Sequence, residues 1–132
     1  MTLSTCSPDG APHAAAVYFV CRDQPVLHLY FFSEDASQHG HDLAANSRAA
    51  VTMYPECFDW QDIRGIQMRG EAHPVPRGAE WDQAWQAYQE KFPFTLQFSE
   101  LVARNQLYVF SPEWIRVVDN RRGFGFKQEW IP

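Results

Sequence analysis

Residues 29–54, with the sequence LYFFSEDASQHGHDLAANSRAAVTMY, set the organisation of this chain. The first and last four residues of this stretch are rich in aromatic and β-branched side chains and predict two strands. Between them, residues 37–46 predict a short helix, for which Ser37 or Asp35 is available as N-cap. A helix that begins just after a strand presents free backbone N–H groups and the positive end of its dipole. The stretch therefore predicts either an anion-binding turn or an ordinary capped connection.

The turn before this helix is rich in groups that can donate hydrogen bonds. The side chains there that can donate in some protonation state are Ser33, Ser37, Gln38, His39 and His41. Together with the helix N-terminus they would suit a phosphate group. A single metal ion bound by both histidines is disfavoured, because residues two apart on a helix point in different directions.

Composition limits the classes of function. The chain has 132 residues, of which 45% are apolar and 15% aromatic, and this is typical of one globular domain over residues 1–132. A net charge of −5 disfavours a nucleic-acid surface or an anionic-membrane surface. The sequence shows neither a membrane-spanning apolar run nor a signal peptide. Three cysteines without a C-x-x-C pair favour a reducing compartment, so we expect a cytoplasmic protein.

The rest of the chain alternates between short strands and turns. Strand-like segments are predicted at residues 1–6, 12–20, 26–32, 48–54, 63–73, 106–110, 112–118 and 127–131. The first two form a hairpin around a Ser-Pro-Asp-Gly turn at residues 7–10. Gly65 and Gly70 predict a bend or bulge in the fifth. With helices in the crossovers, this pattern predicts a mainly β fold, a β-barrel with helices packed outside it.

Residues 79–92 predict the clearest helix. One face of this helix is aromatic, formed by Trp81, Trp85, Tyr88 and Phe92. An aromatic stripe at this spacing is typical of core packing rather than of a cofactor site. Pro93 ends the helix, and residues 95–104 predict a second, weaker one.

Three stretches, taken in order, resemble a known family. They are the hairpin TLSTCSPDGAPHAAAVYFV, the segment LYFFSEDASQHGHDLAANSRAAVTMY and the strand IRGIQMRGEAHPV. Their order and spacing resemble the pyridoxamine-phosphate-oxidase-like FMN-binding split-barrel superfamily. The C-terminal VVDNRRGFGFKQEW is similar to the end of an uncharacterised bacterial subfamily. The resemblance covers nearly the whole chain and implies a split barrel of six to seven antiparallel strands that forms a homodimer.

The resemblance also implies where FMN would bind, because in this superfamily FMN lies in a cleft between two subunits. The residues implied to hold its phosphate are Ser33, Ser37, Gln38 and His39. The residues implied to lie along the isoalloxazine ring are Ala15, Ala16, Val17, Phe31 and Phe32. The partner subunit would add Gln67 and either Arg121 or Phe124.

The implied phosphate site departs from the usual pattern of the superfamily at two positions. Many members have Arg or Lys where this chain has Gln38 and His39, so the phosphate would lack a permanent cation. We expect His39 to be charged when a phosphate dianion is bound, since a nearby negative charge raises the pKa of a histidine. The expectation is therefore that FMN affinity is weak or lost.

The function that the resemblance implies is a flavin-dependent oxidoreductase or flavin reductase. It would act on a small-molecule substrate, with a reduced nicotinamide as a possible electron donor. Hydride transfer at the flavin needs no catalytic triad, and the sequence has no Gly-x-Ser-x-Gly elbow, dinucleotide fingerprint or phosphate loop. Three alternatives stay open: a flavin-binding module without turnover, a barrel that binds a deazaflavin or haem, and a ligand-free dimeric scaffold.

Overall fold

The computed structural model describes residues 1–23 and 25–132. In these residues the strands are β1 (Thr2–Cys6), β2 (Pro12–Ala16), β3 (Val20–Arg22), β4 (His28–Ser33), β5 (Arg48–Met53), β6 (Arg64–Pro74), β7 (Gln106–Asp119) and β8 (Lys127–Trp130). The α-helices are α1 (Gln38–Ala45), α2 (Ala79–Lys91) and α3 (Ser99–Arg104), with short 3-10 helices at Trp60–Asp62, Pro93–Phe98 and Asn120–Arg122. None of the described helices is both long enough and apolar enough to cross a bilayer.

The strands form one antiparallel sheet with the order β2-β1-β5-β6-β7-β4-β3, and β8 pairs with the second half of β7. Among the described residues β2 and β3 are not paired with each other, so the barrel is split between these two edges. The predicted fold class, a mainly β split barrel, is confirmed. The sheet has eight strands. The strand predicted over residues 12–20 ends at Ala16 and a further strand, β3, follows it, whereas the strands predicted at residues 106–110 and 112–118 are one strand, β7.

Two hydrophobic cores lie on opposite sides of the sheet. The first fills the barrel and includes Leu3, Phe31, Val51 and Phe110, all of which have no exposed surface. The second lies between β4, β7 and α2, and it includes Tyr30, Leu107, Trp81, Ala84 and Tyr88. Neighbouring residues of β4 enter different cores because side chains alternate along a strand. The aromatic stripe of α2 is core packing, as its spacing predicts.

A β-bulge at Gly70 allows β7 to continue through a proline. The register between β6 and β7 shifts between Arg69 and Gly70, and Gly70 lies opposite Pro112. A Cβ on Gly70 would clash with the carbonyl oxygen of Ser111, so this close approach requires glycine. The bulge predicted from the sequence is confirmed here. The two strands predicted on either side of residue 111 are one strand of 14 residues, because proline is tolerated at a bulge.

Helix α1 begins where the sequence predicts. Ser37 is its N-cap, and the Ser37 hydroxyl accepts a hydrogen bond from the backbone N–H of Gly40 at 3.1 Å. The helix predicted at residues 95–104 is divided into a 3-10 helix and α3. The hydroxyl of Thr95 donates to the carbonyl oxygen of Phe92 at 2.7 Å, which favours a tighter turn at that point.

Candidate functional site

Three side chains meet where β4 leads into α1, and we call Ser33, Ser37 and His39 the serine–histidine cluster. The hydroxyl of Ser33 lies 2.9 Å from the hydroxyl of Ser37 and 2.5 Å from Nε2 of His39. A Cβ on Gly40 would lie 2.8 Å from the carbonyl oxygen of Asp35, so the turn packs tightly against the start of the helix. Two hydroxyls, an imidazole and a helix N-terminus therefore meet at one place, where Ser33 is buried.

The fourth residue implied for the phosphate, Gln38, is directed to a buried carboxylate. Nε2 of Gln38 donates to Oδ1 of Asp42 at 2.9 Å. Oδ2 of Asp42 accepts a hydrogen bond from the hydroxyl of Thr5 at 2.6 Å and lies 2.9 Å from Nδ1 of His13. Asp42 is 1% exposed. Because its partners lie on β1, β2 and α1, Asp42 ties the helix to the edge hairpin.

Ionisation in this region follows burial and hydrogen bonding. Burial lowers the pKa of His39, and the nearby charge of Asp42 acts in the opposite direction. His39 is therefore neutral at pH 7 without a ligand, and its expected positive charge depends on the arrival of an anion. The hydrogen bond from Thr5 is the largest of several effects that lower the pKa of Asp42, so Asp42 is a carboxylate at neutral pH.

Small side chains cover the outer face of three neighbouring strands. Directly paired residues share a face of a sheet, and the register aligns Ala16 with Thr2 and Thr2 with Thr52. We call this surface the small-residue face; its members are Thr2, Ser4, Ala14, Ala16, Ala50 and Thr52. The same row continues to Gln67. Two of the implied flavin-binding residues, Ala16 and Gln67, therefore lie on one face of the same subunit.

The other residues implied for the flavin ring are divided between the two sides of the sheet. Ala15 and Val17 are half-buried, and Val17 packs against the barrel core. The side chain of Phe31 has no exposed surface, and its ring stacks on Tyr108. The ring of Phe32 packs edge-on against aromatic residues of α2. Because the ring of Phe31 is buried, a flavin beside these two phenylalanines would contact the main chain of β4 and not the ring of Phe31.

A cavity of about 770 Å³ opens on the sheet at the ends of β5, β6 and β7. Its volume is in the range of small-molecule sites. Apolar side chains form much of its lining, including Phe19, Met53, Ile66, Val117 and Val118. Because Arg64 and Arg121 also line it, we call it the arginine-rimmed cavity.

The charges at the rim are arranged around Asp119. Nε and Nη2 of Arg121 donate to the two carboxylate oxygens of Asp119 at 2.8 and 2.7 Å. The hydrogen bond from Arg121 is the main cause that lowers the pKa of Asp119 to about 2. Arg64 lies opposite Asp119 in the sheet register, but the ion pairs found among the described residues do not include Arg64. Among the described residues Arg64 therefore has no ion-pair partner, although its charge helps to lower the pKa of Asp119.

A buried asparagine joins the two loops beside this rim. Asn120 is 7% exposed, and its Nδ2 donates to the carbonyl oxygen of Trp60 at 2.8 Å. Its Oδ1 accepts from the backbone N–H of Gly125 at 3.0 Å, and its own N–H donates to Ile63. Phe124, which the resemblance implies as a partner-subunit contact, is 83% exposed and packs edge-on against Trp60. Asn120 therefore fixes the loop on which Arg121 and Phe124 lie.

The serine–histidine cluster and the arginine-rimmed cavity lie at opposite ends of the strands. Ser33 pairs with Gln106, the first residue of β7, whereas Asp119 beside the cavity is its last residue. An extended strand of this length spans roughly 40 Å. One chain therefore does not gather all the implied residues into a single site.

Three residues that organise these regions could not be identified from the sequence, namely Asp42, Arg64 and Asn120. The spacing of four between Gln38 and Asp42 is a signal that could have indicated their contact. Across residues 1–23 and 25–132, no group of three or more His, Cys, Asp or Glu side chains is arranged to hold a metal ion.

Solved structures with this fold include haem proteins. A haem-binding protein from Mycobacterium smegmatis matches 98% of this chain with a TM-score of 0.79 and 19% identity, and the chain spans 51% of that protein. The haem storage protein HutZ from Vibrio cholerae matches 98% of this chain and is covered over 83% of its own length, with a TM-score of 0.69 and 15% identity. At these identities the similarity shows a common fold.

Sequence comparison gives closer relatives. A UPF0306 protein from Serratia proteamaculans is 29% identical over 128 residues, which are 97% of this chain and 85% of the relative. Another from Enterobacter sp. (strain 638) is 29% identical over 118 residues, or 89% of this chain and 78% of the relative. A family model described as pyridoxamine 5'-phosphate oxidase matches residues 1–119. Since this match spans most of the sequence, the chain belongs to the pyridoxamine 5'-phosphate oxidase family.

Proposed function

We propose that two copies of this chain bind FMN between them and act on a small molecule as a flavin-dependent oxidoreductase or flavin reductase. The observation that carries the proposal is the serine–histidine cluster at the start of α1. The hydroxyl of Ser33 lies within hydrogen-bonding distance of both the Ser37 hydroxyl and the His39 imidazole. This donor set, placed at the positive end of a helix dipole, fits the terminal phosphate of FMN.

A bound phosphate would exchange the internal hydrogen bonds of the cluster for bonds to its own oxygens. Ser33 and Ser37 can donate their hydroxyl protons, and His39 becomes a charged donor when a dianion raises its pKa. Gln38 keeps its bond to Asp42 and so fixes the first turn of the helix. The cluster supplies binding and orientation in this proposal.

Two copies are needed because the implied residues of one chain lie at opposite ends of the strands. A two-fold axis through the small-residue face would bring the cluster of one subunit toward the cavity of the other. Such an interface uses the same surface on both subunits. Ala16 and Gln67 lie on that face, where small side chains allow a close approach of a flat ring.

When bound, FMN supplies the hydride chemistry. The chain contributes the phosphate grip at Ser37 and His39, a flat surface around Ala16 and apolar walls that exclude water near Phe19 and Val117. A reduced nicotinamide would be the electron donor of a reductase. A flavin-binding module without turnover would use the same residues.

Haem is the second candidate ligand, and a specific similarity favours it. The solved structures that match nearly the whole chain include a haem-binding protein and a haem storage protein. A flat tetrapyrrole with acid groups would also suit apolar walls beside Arg64 and Arg121. Haem and FMN differ in their spectra, so one measurement separates them.

The absorbance spectrum of the untreated protein tests the ligand. We expect flavin bands, and bleaching of these bands by a reduced nicotinamide would favour a reductase over a storage module. A Soret band would replace FMN by haem. A colourless protein that also fails to take up added FMN would contradict the flavin proposal and leave the dimeric scaffold.

The position of the phosphate is tested by changing Ser37 and His39 together to Ala. We expect FMN affinity to fall at least tenfold, since each hydrogen bond to a charged group contributes about 1.5–3 kcal/mol. The measurement is a flavin-fluorescence titration. The matched control changes Ser99 and His73 to Ala, which lie outside the cluster. Equal affinities for both variants would show that the phosphate binds elsewhere.

The subunit arrangement is tested by changing Ala16 to Tyr on the small-residue face. The large ring would hold two copies apart, so we expect a monomer that no longer retains FMN. Light scattering after gel filtration measures the mass. The control, Ala79→Tyr at the exposed start of α2, is expected to leave mass and FMN unchanged. A dimer of Ala16→Tyr with normal FMN binding would rule out this face.

A further inference from the structure

We infer that residues 17–19, which we call the strap, close the split of the barrel, and that Lys91 of α2 holds the strap in its closed position. The strap begins after Ala16, the last residue of β2, and ends before Val20, the first residue of β3. It therefore joins the two strand edges between which the barrel is split. The inference goes beyond the proposed function, because it concerns a movement of the fold that needs neither a flavin nor a second copy of the chain.

Two side chains of the strap pack against the barrel core. Val17 and Phe19 are half-buried, and both contact the core cluster that includes Leu3 and Phe31. Phe19 is also part of the lining of the arginine-rimmed cavity. An open strap would therefore expose part of the barrel core and remove one wall of the cavity.

The strap has few backbone attachments. Residues 17–19 take part in none of the strand pairs described for β2 and β3. Val17 exchanges two hydrogen bonds with Met1, at 3.0 and 3.1 Å. Segments with few backbone hydrogen bonds open at a lower free energy than the strands of a sheet. The strap is therefore the part of the barrel wall that opens most easily between β2 and β3.

The end of α2 supplies the contact that fastens the strap beyond Val17. Nζ of Lys91 donates a hydrogen bond to the carbonyl oxygen of Phe19 at 2.8 Å and lies 4.1 Å from the centre of the Phe19 ring. The ion pairs found among the described residues do not include Lys91. The ammonium group is therefore committed to the strap and not to a carboxylate.

Tyr18 gives the strap a second contact with the same region. Its side chain is 61% exposed, but its ring packs edge-on against Phe92 and Phe94, with centroid distances of 5.1 and 5.5 Å. Because both contacts come from α2 and the residues that follow it, release of Lys91 weakens the hold on the strap without breaking a strand pair.

The test is digestion of the folded protein with chymotrypsin, with the cut sites identified by mass spectrometry. The protease must bind several residues in an extended form, so cleavage after Tyr18 and Phe19 follows the population of the open strap. Lys91→Met keeps the apolar stem and removes the ammonium group, and we expect cleavage at these two bonds to become about tenfold faster. Lys91→Arg keeps a charged donor and is expected to stay within about twofold of the unmodified protein.

The matched control is Lys127→Met, which removes the other lysine of the chain, on β8, and is expected to leave cleavage of the strap unchanged. Phe58 and Phe124 are exposed outside the strap, and cleavage after them is an internal control that we expect to be the same in every variant.

A second variant, Tyr18→Ser, removes the aromatic contact and leaves Lys91 in place. We expect it to make cleavage after Phe19 faster, as Lys91→Met does. Equal cleavage of the strap in Lys91→Met and in the unmodified protein would overturn the inference. An equal rise at the strap, Phe58 and Phe124 would overturn it as well, because it would show a general loss of stability. The measurements use protein without added ligand, so their outcome is separate from that of the flavin experiments.

Discussion

At the α1 end of the barrel polar side chains bond to one another, whereas at the cavity end Arg64 stands beside apolar walls. At the α1 end, the side chain of Ser33 has two side-chain hydrogen-bond partners and that of Asp42 has three. The cavity end has one bidentate ion pair, between Arg121 and Asp119, and one arginine, Arg64, that is in no ion pair among the described residues. The same sheet therefore has one end whose polar side chains are hydrogen-bonded to one another and another end where the guanidinium of Arg64 can pair with a ligand.

This difference separates stability from ligand attraction. A buried carboxylate with three partners is costly to disturb, because each partner loses an acceptor when it is removed. An exposed arginine beside a cavity adds little to folding, since exposed charges contribute at most about 1 kcal/mol, but it can select an anion. We expect substitutions at the α1 end to change stability most and those at the cavity end to change binding.

The largest expected effect is on Asp42. Asp42→Ala leaves Thr5, Gln38 and His13 without their common acceptor, and we expect the unfolding temperature to fall by on the order of 10 °C. Circular dichroism during heating measures it. The cavity-end control is Arg64→Gln, expected to shift the midpoint by no more than about 2 °C. Similar shifts for the two variants would remove the distinction between the ends.

The second effect concerns the missing permanent cation. His39→Lys replaces a histidine whose pKa is lowered by burial with a side chain that stays charged. We expect FMN affinity to rise about tenfold and to become more sensitive to salt. Flavin-fluorescence titrations at two salt concentrations measure both.

The matched control is His41→Lys, which adds the same charge at an exposed position of α1 outside the cluster. We expect it to change FMN affinity no more than about twofold. An equal gain from both lysines would mean that the general charge of this surface attracts FMN and that the cluster has no special place.

The α1 end could be predicted from the sequence because its contacts are local. Ser33, Ser37 and His39 lie within seven residues, and N-capping rules apply to single stretches of chain. The partners of Asp42 could not be found in this way, since Thr5 is 37 residues away and His13 is 29. A single sequence does not specify which strands pair.

The cavity as a whole was not predicted for the same reason, although two of its lining residues, Ala16 and Arg121, were implied by the resemblance. Its lining comes from five separated parts of the chain that meet through the registers of β1, β2, β5, β6 and β7. The placement of Phe31 and Phe32 shows a related limit. An aromatic strand indicates burial on at least one face, but both faces of β4 are covered, one by the barrel core and the other by α2.

The smallest expected effect tests whether Arg121 and Asp119 form their bidentate ion pair at the cavity end. The pKa of Asp119 falls from 3.8 to about 2 in the folded protein, mainly through the hydrogen bond from Arg121. A carboxyl group whose pKa is lower in the folded state stabilises fully above its unfolded pKa and loses this contribution as pH falls through the folded pKa. We therefore expect the contribution to be complete above pH 3.8 and lost near pH 2.

A ¹³C NMR titration of the Asp119 carboxyl measures this directly, with a midpoint expected at about pH 2. Asp119→Asn should lower the unfolding temperature at pH 7, where the contribution of the carboxylate is complete, and the difference from the unmodified protein should shrink as pH falls toward 2. Glu113→Gln, a change at an exposed residue whose carboxylate pairs with Arg48 on the far part of the sheet, is the control. A midpoint near 3.8 would mean that Arg121 and Asp119 are not paired. Arg121 would then be a second free cation, and the cavity end would attract anions more strongly than Arg64 alone allows.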